Sequence, residues 1–386
     1  MEVYLVGGAV RDELLGLPIT ERDWVVVGAS PEQMELQGYK AIGKDFPVFL
    51  HPESKEEYAL ARTERKKGRG YHGFEVHASP DVTLEEDLHR RDLTINAMAK
   101  SETNVIIDPY GGQQDLKDKV LRHVSDAFTE DPLRVLRVAR FVAKFHNLGF
   151  SIAEETQQLM RHIVNTREID DLSPERIWQE TYKALSMPSP EQFFLVLYSV
   201  NALSQTHPSI NNEFSNQPSR DLALAALKKL AKEETDACMR LASMLGGLYF
   251  QQADNSHQEV KTLCEKLILP KACKELLLLT VLYQHSCHNV FELDKNQLLE
   301  LLRGMDAKRK PERFIKLLKI FSIIHQSTSS ADDYLQADFI KLAAKTIENI
   351  DIEPWIKAKI SQQELADNIH NAQQVLLDKL IQERNA

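Results

Sequence analysis

Cysteine is scarce. The 386 residues include only Cys238, Cys264, Cys273 and Cys287, with no C-x-x-C pair and none in the first half of the chain. That scarcity argues against a disulfide framework or a zinc site and predicts buried, reduced thiols. Long apolar runs are missing too: no stretch approaches the roughly 18 residues that a membrane-crossing helix needs. The opening MEVYLVGGAVRDELLG has neither a basic leader nor a long apolar core, so no signal peptide is expected and the cytoplasm is the expected location. Excess positive charge is also absent. The net charge of −10 argues against wholesale wrapping of nucleic acid, so any such contact must come from clustered Lys and Arg. What remains is an ordinary globular balance, 43% hydrophobic and 27% charged, long enough for two or three domains.

Residues 3–6 form a short apolar run that ends at Gly7-Gly8, which predicts a strand entering a turn. A helix is expected over 10–15 and a second strand over 24–27, with weaker strand signals at 46–51, 58–62 and 74–77. A strand–helix–strand opening with more strands close behind predicts a small mixed sheet. From about Thr129 the period changes. Leu133, Leu136, Ala139, Phe141 and Phe145 recur at helical spacing, and helix-like segments continue to the C-terminus. The polar stretch 211–218, NNEFSNQP, reads as a loop or linker. No internal repeat of fixed period is present. The pattern is an α/β head followed by a long all-α body and tail.

The informative constellation in the head is Gly7-Gly8, then Arg11, then Glu21-Arg22-Asp23. A glycine pair after a strand lets backbone approach phosphates and offers N–H donors to them. Residues two apart in an extended chain share a face, so Glu21 and Asp23 are expected to point together. Two carboxylates just beyond such a turn can hold two Mg²⁺ ions roughly 3.5–4 Å apart for an in-line displacement at phosphorus. Further along, EDPLRVLRVARF places Pro132 where a helix begins. Arg134, Arg137 and Arg140 then recur every three residues, and Asp131 and Arg134 are neighbours at i,i+3. A solvated face laced with ion pairs is the competing reading of that stripe, as it is for Arg90-Arg91-Asp92.

The motifs LVGGAVRDELLG, ERDWVVVG, GKDFPVFLHP, RRDLTINAM, DPYGG, LRHVS and EDPLRVLRVARF, in that order, closely resemble class II tRNA nucleotidyltransferases, the CCA-adding enzymes of bacteria. The resemblance is dense over residues 1–180 and thins beyond. It implies an α+β fold. A polymerase-β-like nucleotidyltransferase head would occupy 1–125, a helical neck and body 126–210, and a helical, tRNA-binding tail 211–386. It implies template-independent addition of C, C and A to the 3′ end of tRNA from CTP and ATP, with Mg²⁺ on the catalytic Glu21 and Asp23. Gly8, Arg11, Arg91, Asp92, Asp131, Arg134, Arg137 and Arg140 would contact the nucleotide, Arg91 and Asp92 through its phosphates and ribose. Neither DNA nor a membrane is an expected partner.

The resemblance also makes Asp131 and Arg134 a protein template. Cytosine and adenine each present a ring-nitrogen acceptor beside an amino donor. A carboxylate accepts from the amino group and a guanidinium donates to the ring nitrogen. Uracil and guanine mispair both, and such a site rejects them by about 10⁴-fold or more. The basic, glycine-rich segment 64–74 looks like the family's mobile loop, and Glu57 sits where the family has a third acid.

One departure stands out: the family pattern at the acid pair is Asp-x-Asp, whereas this chain has Glu21. Glu21 is therefore a tolerated variant or a weakened ligand, and a catalytically weakened RNA-binding pseudoenzyme is one alternative. A poly(A) polymerase with the same head is another, although such enzymes have a more basic run than Gly43-Lys44-Asp45-Phe46. Many relatives add an HD phosphohydrolase domain. This sequence contains no His-Asp dipeptide, so no hydrolase activity is expected. The basic run from Arg303 to Lys319, with Arg176 and Lys183, supplies candidates for tRNA phosphate contact.

Overall fold

The computed structural model describes residues 1–42, 47–66, 74–251, 253–328, 333–348 and 350–385. The run at 43–46 and the centre of the basic segment at 67–73 lie outside the described residues. The chain divides into two compact units, Met1–Thr206 and His207–Ala386.

The first unit begins β1 (Glu2–Val6), α1 (Gly8–Leu14), β2 (Asp23–Val27), α2 (Pro31–Leu36), β3 (Lys40–Ala41), β4 (Val48–Leu50) and β5 (Glu57–Leu60). It continues β6 (Arg62–Lys66), β7 (Phe74–Ala78), α3 (Leu84–His89), β8 (Ala99–Ser101), β9 (Ile106–Ile107), α4 (Gly112–Asp118) and β10 (Val120–Leu121). Seven strands form one sheet in the order β3-β4-β5-β2-β1-β8-β9. Among the described residues of this sheet, only the β2–β5 pair is parallel. Period-2 alternation divides the apolar residues between two faces. Val6 and Val25 bury with Ala61, Val82 and Leu88, whereas Val26 buries with Met34, Phe49 and Leu60. The strand expected over 58–62 in fact breaks at Ala61. Arg62 starts β6, which pairs with β7 as a separate hairpin, so 64–66 and Phe74 are strand rather than loop.

The helices α5 (Leu133–Phe145), α6 (Glu154–Asn165), α7 (Pro174–Leu185), α8 (Glu191–Ser199) and α9 (Leu203–Thr206) follow, with β11 (Ser151–Ile152) pairing to β10. Val135, Leu136, Val138, Ala139 and Val142 bury one side of α5, which packs on α7 and α8.

The second unit is helical throughout its described residues: α10 (Pro208–Phe214), α11 (Gln217–Ala231), α12 (Ala237–Leu248), α13 (Ala253–Lys266), α14 (Lys271–His288), α15 (Lys295–Gly304), α16 (Pro311–Thr328), α17 (Leu335–Glu348), α18 (Glu353–Lys357) and α19 (Gln362–Asn385). A mixed-sheet head followed by helices is thus the architecture the sequence pattern implied.

Two readings need correction. The stretch 211–218 is helical on both sides of a short break. Phe214 is fully buried at the end of α10, and Asn216 caps α11 by accepting from Ser219 N, so its polar residues serve helix ends. The thiols are not all reduced: Cys238 on α12 and Cys273 on α14 form a disulfide, with Cα atoms 5.4 Å apart, while Cys264 and Cys287 are free and buried. Helix packing brings together two cysteines 35 residues apart, and no local spacing signals that. The basic run on α16 is matched by acids of its own unit. Lys310 and Arg313 pair with Glu275, and Lys316 with Asp236.

Gly112, in the DPYGG motif, packs where no side chain fits. A Cβ there would run into the Thr94 carbonyl and lie 2.9 Å from Met98 Cγ. Gly112→Ala is therefore expected to lower the stability of the first unit by about 1–3 kcal/mol, read as a fall in thermal midpoint; an unchanged midpoint contradicts the packing. His207 gives the second unit a pH dependence. Burial, with Lys266 adding, lowers its pKa from 6.5 to about 3. The folded state keeps it neutral where the unfolded chain takes up a proton, so its stability is complete above pH 6.5 and lost as pH falls toward 3. From pH 7 to pH 5 this group should remove about 2 kcal/mol. His288, lowered to about 4 by burial, acts in the same direction. A urea midpoint unchanged between those two pH values contradicts this.

Candidate active site

Sheet register builds one wall of the site. Antiparallel pairing sets Val6 opposite Asp23, so the Gly7-Gly8 turn leaving β1 and the segment entering β2 share one end of the sheet. The parallel β2–β5 pair sets Asp23 beside Glu57, whose strands run roughly 4.8 Å apart. Gly7, Gly8, Glu21, Asp23 and Glu57 all line a single cleft of about 780 Å³. Gly7 has φ +69°, and a Cβ on it would lie 3.0 Å from Arg91 Nη1. One on Gly8 would lie 3.3 Å from Arg11 Nη2. Glycine at both positions lets the two guanidiniums approach the turn.

Asp23 is the strained carboxylate of this wall. Desolvation by the cleft walls raises its pKa although the side chain keeps solvent exposure, Arg91 opposes the rise, and Glu21 adds to it. A cation between Glu21 and Asp23 would relieve that repulsion, so the pair suits a divalent metal ion. Among the described residues no group of three or more His, Cys, Asp or Glu is arranged to hold a metal. Two acids plus substrate oxygens and water is the way Mg²⁺ is often held.

The RRD motif is anchored by an acid that the sequence reading missed. The Asp87 side chain has no solvent exposure. It accepts from Arg90 Nη2 at 2.8 Å and Arg91 Nη2 at 3.1 Å. Its pKa is lowered: burial pushes up, and the two arginines outweigh it. Arg91 Nε is buried without a hydrogen-bond partner. Asp92 accepts from Leu93 N, Asn96 Nδ2 and Arg137 Nε, the last at 2.7 Å. Its pKa is driven far below the usual carboxylate range; burial opposes this, and Arg137 is the largest lowering influence.

The other wall is α5 and α7. Arg134, Arg137, Arg140 and Lys144 all line the cleft at spacings of three, three and four. Their carboxylate partners come from elsewhere. Arg137 takes Asp92, Arg140 takes Glu180 of α7 at 2.6 Å, and Lys144 takes Asp12 of α1 at 2.9 Å. Arg134 donates instead to the Ala127 and Arg90 carbonyls. Asp131 and Arg134, expected as neighbours, are both in the cleft, and the Asp131 carboxylate is held by Arg176 of α7 at 2.9 Å. Arg140 and Arg11 lie over the Phe141 ring at 4.5 and 5.3 Å.

The ten residues read from sequence as catalytic or nucleotide-contacting all line this cleft: Gly8, Arg11, Glu21, Asp23, Arg91, Asp92, Asp131, Arg134, Arg137 and Arg140. Arg176 and Lys183, read as RNA contacts, line it too. Sequence reasoning missed Asp87, Lys144 and Glu180. Ten Arg and Lys side chains face six Asp and Glu there, a formal excess of four positive charges in a chain of −10. A cleft with acids at one edge and surplus cations at the other suits a polyphosphate.

The chain is similar to known proteins. The model described as Poly A polymerase head domain matches residues 3–122, and that described as Probable RNA and SrmB- binding site of polymerase A matches 149–214. A Multifunctional CCA protein of Pseudomonas paraeruginosa is 44% identical, covering 100% of this chain and 99% of that protein. A CCA-adding enzyme of Pseudomonas putida is 47% identical over 95% of this chain and 96% of its own length. The structure of a Thermotoga maritima CCA-adding enzyme complexed with tRNA superposes with a TM-score of 0.67 at 21% identity, covering 99% of this chain and 90% of that one, and shares the fold.

The Asp92–Arg137 pair generates a prediction. Removing one member of a buried pair strands the other, at a cost of about 3–5 kcal/mol. Arg137 keeps 34% of its side chain exposed, so Asp92→Ala, which strands it, should cost less, about 1–3 kcal/mol. The double variant with Arg137→Ala should be non-additive by roughly 1 kcal/mol or more in urea denaturation. Strict additivity would show that the pair does not couple.

Proposed function

The chain belongs to the family of CCA-adding enzymes, and from that premise we propose that it adds C, C and A to the 3′ end of tRNA, using CTP and ATP. The observation that carries the reading is one cleft with Glu21 and Asp23 at one edge and Asp131 and Arg134 on the opposite wall. Reaction and base choice are thereby held in one space, without a nucleic-acid template. Divalent metal use goes with nucleotidyltransferases of this family; we assign Mg²⁺, held by Glu21 and Asp23. When bound it supplies charge neutralisation at the phosphate oxygens and a more acidic attacking hydroxyl.

The chain's own residues do the rest. Gly7-Gly8 lets phosphate oxygens reach backbone N–H groups, and Arg11 and Arg91 flank that turn. Asp92, locked by Arg137 and Asn96, turns toward the ribose. Asp131 accepts from the exocyclic amino group of C or A, and Arg134 donates to the neighbouring ring nitrogen. Arg176 keeps the Asp131 carboxylate aimed, and the two carbonyls on Arg134 hold its guanidinium. Preorganised donors and acceptors of this kind need little rearrangement when the base arrives. With tRNA as substrate, the work falls in the bacterial cytoplasm.

Purified protein with tRNA lacking CCA, CTP, ATP and Mg²⁺ should extend the tRNA by three nucleotides. CTP should be preferred to UTP by about 10⁴-fold. Asp23→Ala should lower the rate about a thousandfold or more, whereas Glu21→Asp should stay within about tenfold of the parent. Long A tails on generic RNA from ATP alone would instead favour a poly(A) polymerase. Inert parent protein beside an active Glu21→Asp variant would favour a pseudoenzyme.

A further inference from the structure

Lys144 continues the cationic stripe of α5 one turn beyond Arg140 and lines the same cleft. Its Nζ lies 2.9 Å from Asp12 Oδ2 and 5.1 Å from the Phe145 ring centroid. The other oxygen of that carboxylate accepts from Arg11 Nε at 2.8 Å. One nearly buried carboxylate, 9% exposed, is thus shared between two cations, and Lys144 keeps 27% of its side chain open to the cleft. The local charge is one unit positive, and it sits on the side of the cleft where Gly8 and Arg11 meet. Arg134, at the base-reading end, is ten residues away, roughly 15 Å along the helix. A nucleotide whose base rests at Arg134 therefore sends its phosphates toward the Lys144 end.

We infer that Lys144, with Arg11, binds the outer two phosphates of the incoming nucleotide and then the pyrophosphate, and that Asp12 is the counter-charge they hold between turnovers. The inference rests on the nucleotidyl-transfer reading. In that reaction the RNA 3′ oxygen forms a bond to the α-phosphorus and the bond from the α-phosphorus to the bridging oxygen breaks. The electron pair leaves with pyrophosphate, and the hydroxyl proton passes to solvent. Negative charge grows on the leaving group as that bond lengthens, and a nearby ammonium stabilises it. Lys144 is too far from Arg134 to read the base, so its role separates from base choice.

Calorimetric titration of the full-length protein with inorganic pyrophosphate tests this without relying on turnover. Lys144→Gln should weaken pyrophosphate binding by about tenfold or more, and Lys144→Arg should restore it to within about threefold. In the tRNA assay Lys144→Gln should raise the CTP KM and the pyrophosphate inhibition constant together, leaving the CTP-to-UTP preference within twofold of the parent. Unchanged pyrophosphate affinity in Lys144→Gln overturns the inference, as does a CTP-to-UTP preference that falls in parallel. If the parent protein adds no CMP to tRNA, the functional reading fails, while the titration still decides the role of Lys144.

Discussion

The constraint on which the first unit depends is electrostatic: ten cationic side chains must face one cleft without driving it apart. The most enclosed among them are met by specific acceptors, some close in sequence and some from a different element. Asp87 holds Arg90 and Arg91, Asp92 holds Arg137, Glu180 holds Arg140, and Asp12 holds both Arg11 and Lys144. Such pairs add little net stability compared with an apolar core, but breaking one is costly. Their consequence is geometric. They tie α1, α7 and the segment carrying Asp92 to α5 around the cleft and fix where the guanidiniums point. With Asp87 and Glu180 counted beside the six lining acids, ten cations face eight carboxylates, and a bound polyphosphate would neutralise the excess of two.

The sheet supplies the complementary negative edge. Because β1 and β2 run antiparallel and β2 and β5 parallel, a turn, an acid pair and a third acid from separate parts of the chain arrive at one end. None of these residues needs a special local conformation except Gly7. The ladder that carries Asp23 is buried through Val25 and Val26, so its position is set by the core. Asp23 is held at a raised pKa against its own preference, as expected where a site is built to receive a cation.

How much of this was legible in the sequence depended on whether the signal was local. The Gly7-Gly8 turn, the 21–23 acid pair and the period-three arginines are patterns within a few residues, and all lie where they were expected. The partners of those residues were not legible. Glu180 and Asp12 reach Arg140 and Lys144 across separations of 40 and 132 residues that no periodicity reports, and Cys238 meets Cys273 in the same way. Lys144 and Asp87 were the exceptions that could have been found: Arg140 and Lys144 are i and i+4 on one helical face, and Asp87 precedes Arg90 and Arg91 by three and four residues. The polar stretch 211–218 misled for the opposite reason. Asn, Ser and Pro favour helix N-termini as much as loops, and only the burial of Phe214 separates the two uses.

The departure at Glu21 becomes intelligible in the same terms. Asp23 is a member of the β2 ladder, paired in register with Val6 on one side and Glu57 on the other. A longer side chain there would have to be absorbed by a strand whose neighbours are fixed. Glu21 lies two residues earlier, in the exposed segment that leads from α1 into β2, outside the ladder. Backbone there can retreat by the length of one methylene without shifting a strand pair, because its hydrogen bonds are not part of the sheet. Of the two acids, the substitution has fallen on the one whose surroundings can accommodate it, and the carboxylate charge that the cleft requires is retained.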